Sequence, residues 1–453
     1  MFSFLAWVNQ LRLSGSPLEI RERKKDVGGK IGNYKGQIML EKAEELGTSW
    51  AYKQEKLPLD GLLLLDNVQF IYELALAQLE LRALGVNYEI TNGLREFKLI
   101  QANDPETFRR RTAYFKSISG KLSDYFYIIQ KNRTRSVNQY LTHWIYPYKG
   151  KFHPQMIRAL LNIMKLKPGD TVLDPFIGSG TTAVEAQLLG INCIGVDISP
   201  LCVLQSRVKT ESLEVIDEIV KLKQEVSYFV EPTLFSINQS LQDYICAIRD
   251  ERVRNFYQMV QLVAISDAAR RKKDFKKSFF RNLELMIASV KDYKEIAQEL
   301  RLELGDVRIE VGDARNLPLE GESVDGIITS PPYSIALDYI ANDAHALEYL
   351  GVNLQKAREE FIGMRGRGKM RVHLYNEDMK TAYREMLRVL KPGKFAAIVI
   401  GNATYQGREI RTVKFTIDYM ERLGFHLLRN IDKIIFGLYN VMQKENILIF
   451  RKA

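Results

Sequence analysis

Cysteine is scarce, with three residues in 453, at positions 193, 202 and 246. An odd number with no pair at metal-ligand spacing excludes both a disulfide framework and a cysteine zinc site, and points to reduced, buried thiols. The five histidines, 143, 153, 345, 373 and 426, contain no HxxxH pair, so no metal is expected. No apolar run reaches the roughly 18–20 residues of a membrane span. The opening Met1–Leu13 is broken by Asn9, Gln10 and Arg12 and has no small-residue cleavage site. A soluble, cytoplasmic chain without a membrane partner is expected.

The length exceeds one ordinary domain, so two or three units are expected, and a hydrophobic content of 46% is enough to build a core. Lys and Arg outnumber Asp and Glu by 65 to 55. The excess is clustered at Arg109–Arg111, Lys131–Arg135, Arg270–Lys277 and Arg365–Arg371. Such clusters suit a phosphate backbone, and they equally suit solvated helix faces.

Organisation becomes legible near Lys167. Lys167–Asp170 reads as a turn, Thr171–Asp174 as a short strand, Pro175–Gly180 as a loop and Thr181–Leu189 as a helix. After Gly190, Asn192–Val196 is a second buried strand closed by Asp197, so the segment forms the strand–loop–helix–strand unit of a parallel α/β sheet. Residues 205–302 carry apolar positions at helical spacing (Val215, Ile216, Ile219, Val220; Met259, Leu262, Val263) and read as a helical insertion. Strands resume at Val307–Val311, Ser323–Thr329, Lys394–Ile400, Ile431–Phe436 and Asn446–Phe450, with Lys391–Gly393 as a turn. Residues 1–139 form an N-terminal extension of open fold, with a helix near Val68–Ala83, a strand at Tyr88–Ile90, and no repeat or low-complexity segment.

Two constellations carry chemistry. The first is the loop Asp174, Pro175, Phe176, Ile177, Gly178, Ser179, Gly180, Thr181 and Thr182. Asp197, followed by Ile198, lies nineteen positions after Gly178 at the next strand's tip. Glycines admit a ligand close to the backbone, and a carboxylate at that tip suits ribose hydroxyls. The loop alone does not choose the cofactor, because Gly178, Gly180 and Ala183 also fit the GxGxxA dinucleotide fingerprint. The second constellation is Ser330, Pro331, Pro332 and Tyr333, directly after a strand. Paired prolines hold their carbonyls rigidly. The Ser330 hydroxyl and Pro331 carbonyl can accept from the exocyclic amine of a flipped-out base while Tyr333 stacks on its face.

Together these motifs resemble the amino-methyltransferase family of DNA modification enzymes, over roughly residues 140–453. The resemblance implies a doubly wound, seven-stranded, Rossmann-like methyltransferase sheet, with S-adenosylmethionine as cofactor and duplex DNA with a flipped base as substrate. Within that family the Ser form of the tetrapeptide goes mainly with cytosine N4 and the Asp and Asn forms with adenine N6. It also implies that Trp144–Pro154, with Tyr148, Lys151 and Phe152, holds the methionine end of the cofactor, and that Asp313 and Ala314 contact its adenine. A cognate restriction endonuclease is a candidate partner.

Two departures weaken any claim to sequence specificity. The cofactor loop precedes the tetrapeptide, whereas many Ser-Pro-Pro-Tyr enzymes have the reverse order, and the insertion lies earlier than the usual target-recognition domain. Within the insertion, Arg270, Arg271, Lys272 and Lys273 are the candidates for phosphate contacts. The basic stretch Gly363–Lys369, with Arg365, Arg367 and Lys369, is expected to close over nucleic acid near the site, and Asp338 and Tyr339 to flank the pocket. Cytosine C5 chemistry is excluded, since no cysteine follows a proline. The competing functions are adenine N6 methylation, guanosine N2 methylation of tRNA, and a non-catalytic nucleic-acid binder.

Overall fold

The computed structural model describes residues 61–453 apart from 92, 135, 231–239, 334–337, 406–407 and 437–441. The first sixty residues of the expected N-terminal extension, Met1–Leu13 among them, lie outside the described part. No helix among the described residues is long and apolar enough to cross a membrane.

The extension's described part is a five-stranded antiparallel sheet. Its strands are β1 (Gly61–Leu64), β2 (Val86–Ile90), β3 (Glu96–Ala102), β4 (Phe115–Ile118) and β5 (Lys121–Leu122), in the order β2-β3-β1-β4-β5. Leu62 sits opposite Phe97 on one side and Ile118 on the other. Helix Ile71–Ala83 buries Leu76, Ala77 and Leu81 and packs against helix Pro154–Ile163 of the following domain.

The C-terminal half is built on a seven-stranded sheet. Its strands are β6 (Thr171–Asp174), β7 (Asn192–Asp197), β8 (Val307–Val311), β9 (Val324–Thr329), β10 (Leu390–Ile400), β13 (Phe425–Phe436) and β14 (Met442–Lys452), in the order β13-β14-β10-β9-β6-β7-β8. The two-stranded hairpin β11 (Ala403–Tyr405) and β12 (Arg408–Ile410) follows β10. Pairing is parallel from β8 through β10 and antiparallel at β14. Every residue of β9 is buried, as expected of a central strand covered on both faces. The chain order reverses between β6 and β9, so their C-terminal ends leave a crevice at the switch point.

Two boundaries differ from the sequence reading. Lys391–Gly393 lies inside β10 as an irregularity between Leu390 and Phe395, because Pro392 offers no N–H and Gly393 takes a positive φ of 72°. Helix Pro200–Glu211 belongs to the crossover from β7, so the inserted helices begin at Ile216 and end at Glu299. Within the insertion, Glu251–Arg271 and Phe275–Glu299 form a hairpin whose turn places Lys272 at φ 52°, with Asp274 capping the second helix.

A buried polar seam joins the two halves. Glu185 on helix Thr181–Leu188 accepts from the Tyr140 hydroxyl at 2.5 Å and from His143 Nε2 at 2.8 Å, and its other oxygen lies 3.5 Å from Arg158. Arg158 donates to the carbonyls of Arg110 and Arg111, and its guanidinium covers the Tyr125 ring. Burial holds His143 down to about 4, so it is neutral at physiological pH. Removing one member of such a set strands the others in low dielectric. Glu185→Ala is expected to lower unfolding free energy by about 3–5 kcal/mol, and Glu185→Gln by less. Urea midpoints read at constant slope check both.

Candidate functional site

The C-terminal ends of the central strands open on a cavity of about 740 Å³, within the range of small-molecule sites. Asp174, the last residue of β6, is fully buried below it. Its Oδ2 accepts from Thr182 Oγ1 at 2.7 Å, and its Oδ1 accepts from Thr329 Oγ1 at 2.8 Å and from the Phe176 N–H at 3.2 Å. Burial pushes its carboxyl up to about 7 against these donors. One side chain thus ties the glycine loop to the residue immediately before Ser330.

The glycines serve different ends. Gly178 has φ 51° and lies under the Tyr148 ring. Gly180, at φ 76°, is the N-cap of helix Thr181–Leu188, and a Cβ there would sit 2.9 Å from the Ser206 Cα. The loop is gripped from helix Pro200–Glu211: Gln205 and Ser206 donate to the Gly178 carbonyl, and the fully buried Lys209 donates to the Ser179 carbonyl at 2.6 Å. Asp197 accepts from the Gly178 and Ser199 N–H groups through different oxygens, with Cys202 and the Ile198 backbone as further partners, and lines the cavity at the tip of β7. Burial raises its carboxyl to about 6.

Of the residues expected to hold a cofactor, Tyr148, Lys151, Phe152, Pro175, Phe176 and Gly178 line the cavity, as do Asp197, Ile198, Asp313 and Ala314. Asp174, Gly180, Thr181 and Thr182 lie beneath and shape the loop. Asp313 is forked by Arg315, at 2.7 Å in its closest contact, which holds the carboxylate beside the cavity. Ser330, Pro332 and Tyr333 line the same cavity, and Pro331 is buried behind them.

The basic residues are largely spoken for. Arg270 pairs with Asp343 at 2.6 Å, and Arg271 and Lys273 both pair with Asp267, while Lys272 is the hairpin turn. Arg365 is held by Asp378. Arg367 and Lys369 are exposed, on or just after a turn whose Phe361, Ile362 and Met364 line the cavity. Tyr339 lines the cavity, and Asp338 caps its helix. In the N-terminal region, Arg109 pairs with Glu106 and Asp124, and Arg133 pairs with Asp292.

Sequence reasoning missed several wall residues. Asp343 accepts from the Tyr146 hydroxyl at 2.9 Å, and Glu445 accepts from the Tyr333 hydroxyl at 2.9 Å while pairing with Lys433. Their only signal was a charge placed within or beside an apolar run, and many surface positions share it.

The arrangement fits a nucleoside cofactor with a charged tail. Lys151 is half-buried at the cavity wall, and its ammonium donates to the His143 carbonyl. Burial pulls its amine down to about 7. An anionic carboxylate bound there raises it again, so binding above pH 7 takes up a proton. Affinity for a carboxylate-bearing cofactor is therefore expected to be flat below pH 7 and to fall above it. Titration calorimetry across pH 6–9 checks this, and Lys151→Met should weaken binding and remove the slope.

Residues 20–206 match a family described as DNA methylase, and residues 145–391 match one described as RMKL-like, methyltransferase domain. The type II methyltransferase M.BsoBI of Geobacillus stearothermophilus is 26% identical over 281 residues, 49% of this chain and 55% of that protein. M.MjaII of Methanocaldococcus jannaschii is 44% identical over 86 residues, 19% of this chain and 15% of that one. A tRNA (guanine(10)-N2)-dimethyltransferase of the same organism is 33% identical over 116 residues, 26% of this chain and 31% of that one. The chain spans at most 55% of the length of these relatives.

Proposed function

We propose that the chain, which belongs to the RMKL-like methyltransferase domain family over residues 145–391 and matches the DNA methylase family over residues 20–206, methylates an exocyclic amino group in DNA, at cytosine N4. The cofactor is S-adenosylmethionine. The observation that carries the reading is that the glycine loop and Ser330, Pro332 and Tyr333 face one cavity, tied together through Asp174 and Thr329.

Bound S-adenosylmethionine supplies an electrophilic methyl group on a cationic sulfur. Asp197 would hold the ribose hydroxyls, Lys151 the terminal carboxylate and Asp313 the adenine edge. Ser330 Oγ and the Pro331 carbonyl accept the two N–H bonds of the target amine, drawing its lone pair out of the ring and aiming it at the methyl group. Tyr333, fixed through Glu445, presents its ring to the base. Phe361, Ile362 and Met364 give the cavity an apolar stretch of wall. Ser at position 330 supports cytosine over adenine, and the type II relatives support a restriction–modification setting, in which a cognate endonuclease would be the partner. Guanosine N2 methylation in tRNA is the second reading, favoured by the dimethyltransferase relative.

Labelled methyl transfer to unmodified duplex DNA and to unmodified tRNA, with nucleoside mass spectrometry of the digests, separates these readings. N4-methylcytosine in DNA is expected, and label in tRNA alone would sink the DNA assignment. Ser330→Ala should lower kcat about 100-fold with cofactor affinity nearly unchanged. Equal losses in both would count against the role given to Ser330.

A further inference from the structure

Four lysines line the cavity: Lys149, Lys151, Lys433 and Lys444. Lys149 is bound to Asn342, Lys151 lies beside the glycine-loop end, and Lys444 is exposed and paired with Asp432. Lys433, on β13, differs from these. Its side chain is 10% exposed, and it is joined to Tyr333 through Glu445 on β14. Ser330, Tyr333, Glu445 and Lys433 follow one another by contact along a single wall, with Ser330 Oγ 3.5 Å from the Tyr333 hydroxyl.

A nearly buried ion pair gains little over apolar residues of the same volume, because desolvation offsets attraction. This pair nevertheless sits at the target end of the cavity. Glu445 takes one N–H of Lys433 and leaves two others to offer. If the amine is held at Ser330, the remainder of the base's pairing edge points along the wall toward Lys433.

On the reading that the target is cytosine, we infer that Lys433 is a specificity-determining residue that donates to the keto oxygen O2 of the flipped base. Cytosine presents in sequence an amine, a ring nitrogen acceptor and a carbonyl. Adenine offers a C–H where cytosine has the carbonyl. Guanine held by its N2 amine puts an N–H donor beside that amine. A donor at the far end of the edge therefore rewards cytosine over adenine at that position, while guanine, whose O6 also falls there, is set apart by its N1–H, and Glu445 keeps the Lys433 side chain aimed while fixing Tyr333.

The test is a cycle on the full chain. Duplex DNA carries the wild-type target site, with the target base either cytosine or a 2-aminopyridine C-nucleoside, which keeps the amine and adjoining ring nitrogen and lacks the keto oxygen. Wild type should lose kcat/KM by about 10- to 100-fold on the analogue, beyond whatever the altered amine costs any variant. Lys433→Met should be slow on cytosine and lose little further on the analogue. The double variant Lys433→Met with Glu445→Gln leaves no unpaired charge and should show the same indifference. If Lys433→Met loses the same factor as wild type when O2 is removed, the inference is overturned and cytosine methylation stands. If wild type puts no methyl on cytosine in DNA, the functional reading itself fails, and this inference with it.

Discussion

The site depends on one buried carboxylate. Asp174 has no exposed surface and spends both oxygens on donors from different elements: Thr182 of the following helix, the Phe176 N–H of the loop, and Thr329 of β9. In low dielectric each of these bonds is strong and its loss costly, so the glycine loop and the strand delivering Ser330 are held in one relation. The methyl transfer proposed for this cavity requires such a constraint, because a small displacement between donor and acceptor costs rate steeply.

The second constraint comes from beneath the loop. Gln205, Ser206 and Lys209 hold the carbonyls of Gly178 and Ser179, so helix Pro200–Glu211 does more than return the chain to β8. On the far side of helix Thr181–Leu188, Glu185 gathers Tyr140, His143 and Arg158 into the seam with the N-terminal sheet. The extension is thereby part of the support of the cofactor loop. Its Arg109 and Arg133 are used in ion pairs, as are Arg270, Arg271 and Lys273 of the insertion. A net charge of +10 says little about where phosphate is met, since many clustered cations are paired, some with carboxylates nearby in sequence such as Glu106 and Asp267 and others with the distant Asp292 and Asp343.

What the sequence by itself determined is the central unit: the β6–loop–helix–β7 order, the glycines, Asp197 at a strand tip, and Ser330–Tyr333 after a buried strand. These are legible because the backbone demands of a tight loop and a proline pair are local, and a wholly apolar run between turn signals admits few alternatives. The extension's sheet was not legible beyond one strand and one helix, because its short strands alternate weakly and pair β1 with β3 and β4 across intervening elements. Nor was the role of Asp343, Lys433 or Glu445, whose neighbours Tyr146 and Tyr333 lie 197 and 112 positions from Asp343 and Glu445. Only the tertiary structure decided which charges face the cavity and which neutralise one another, because long-range contacts set the burial and partner of a charged side chain, and a linear pattern does not contain them.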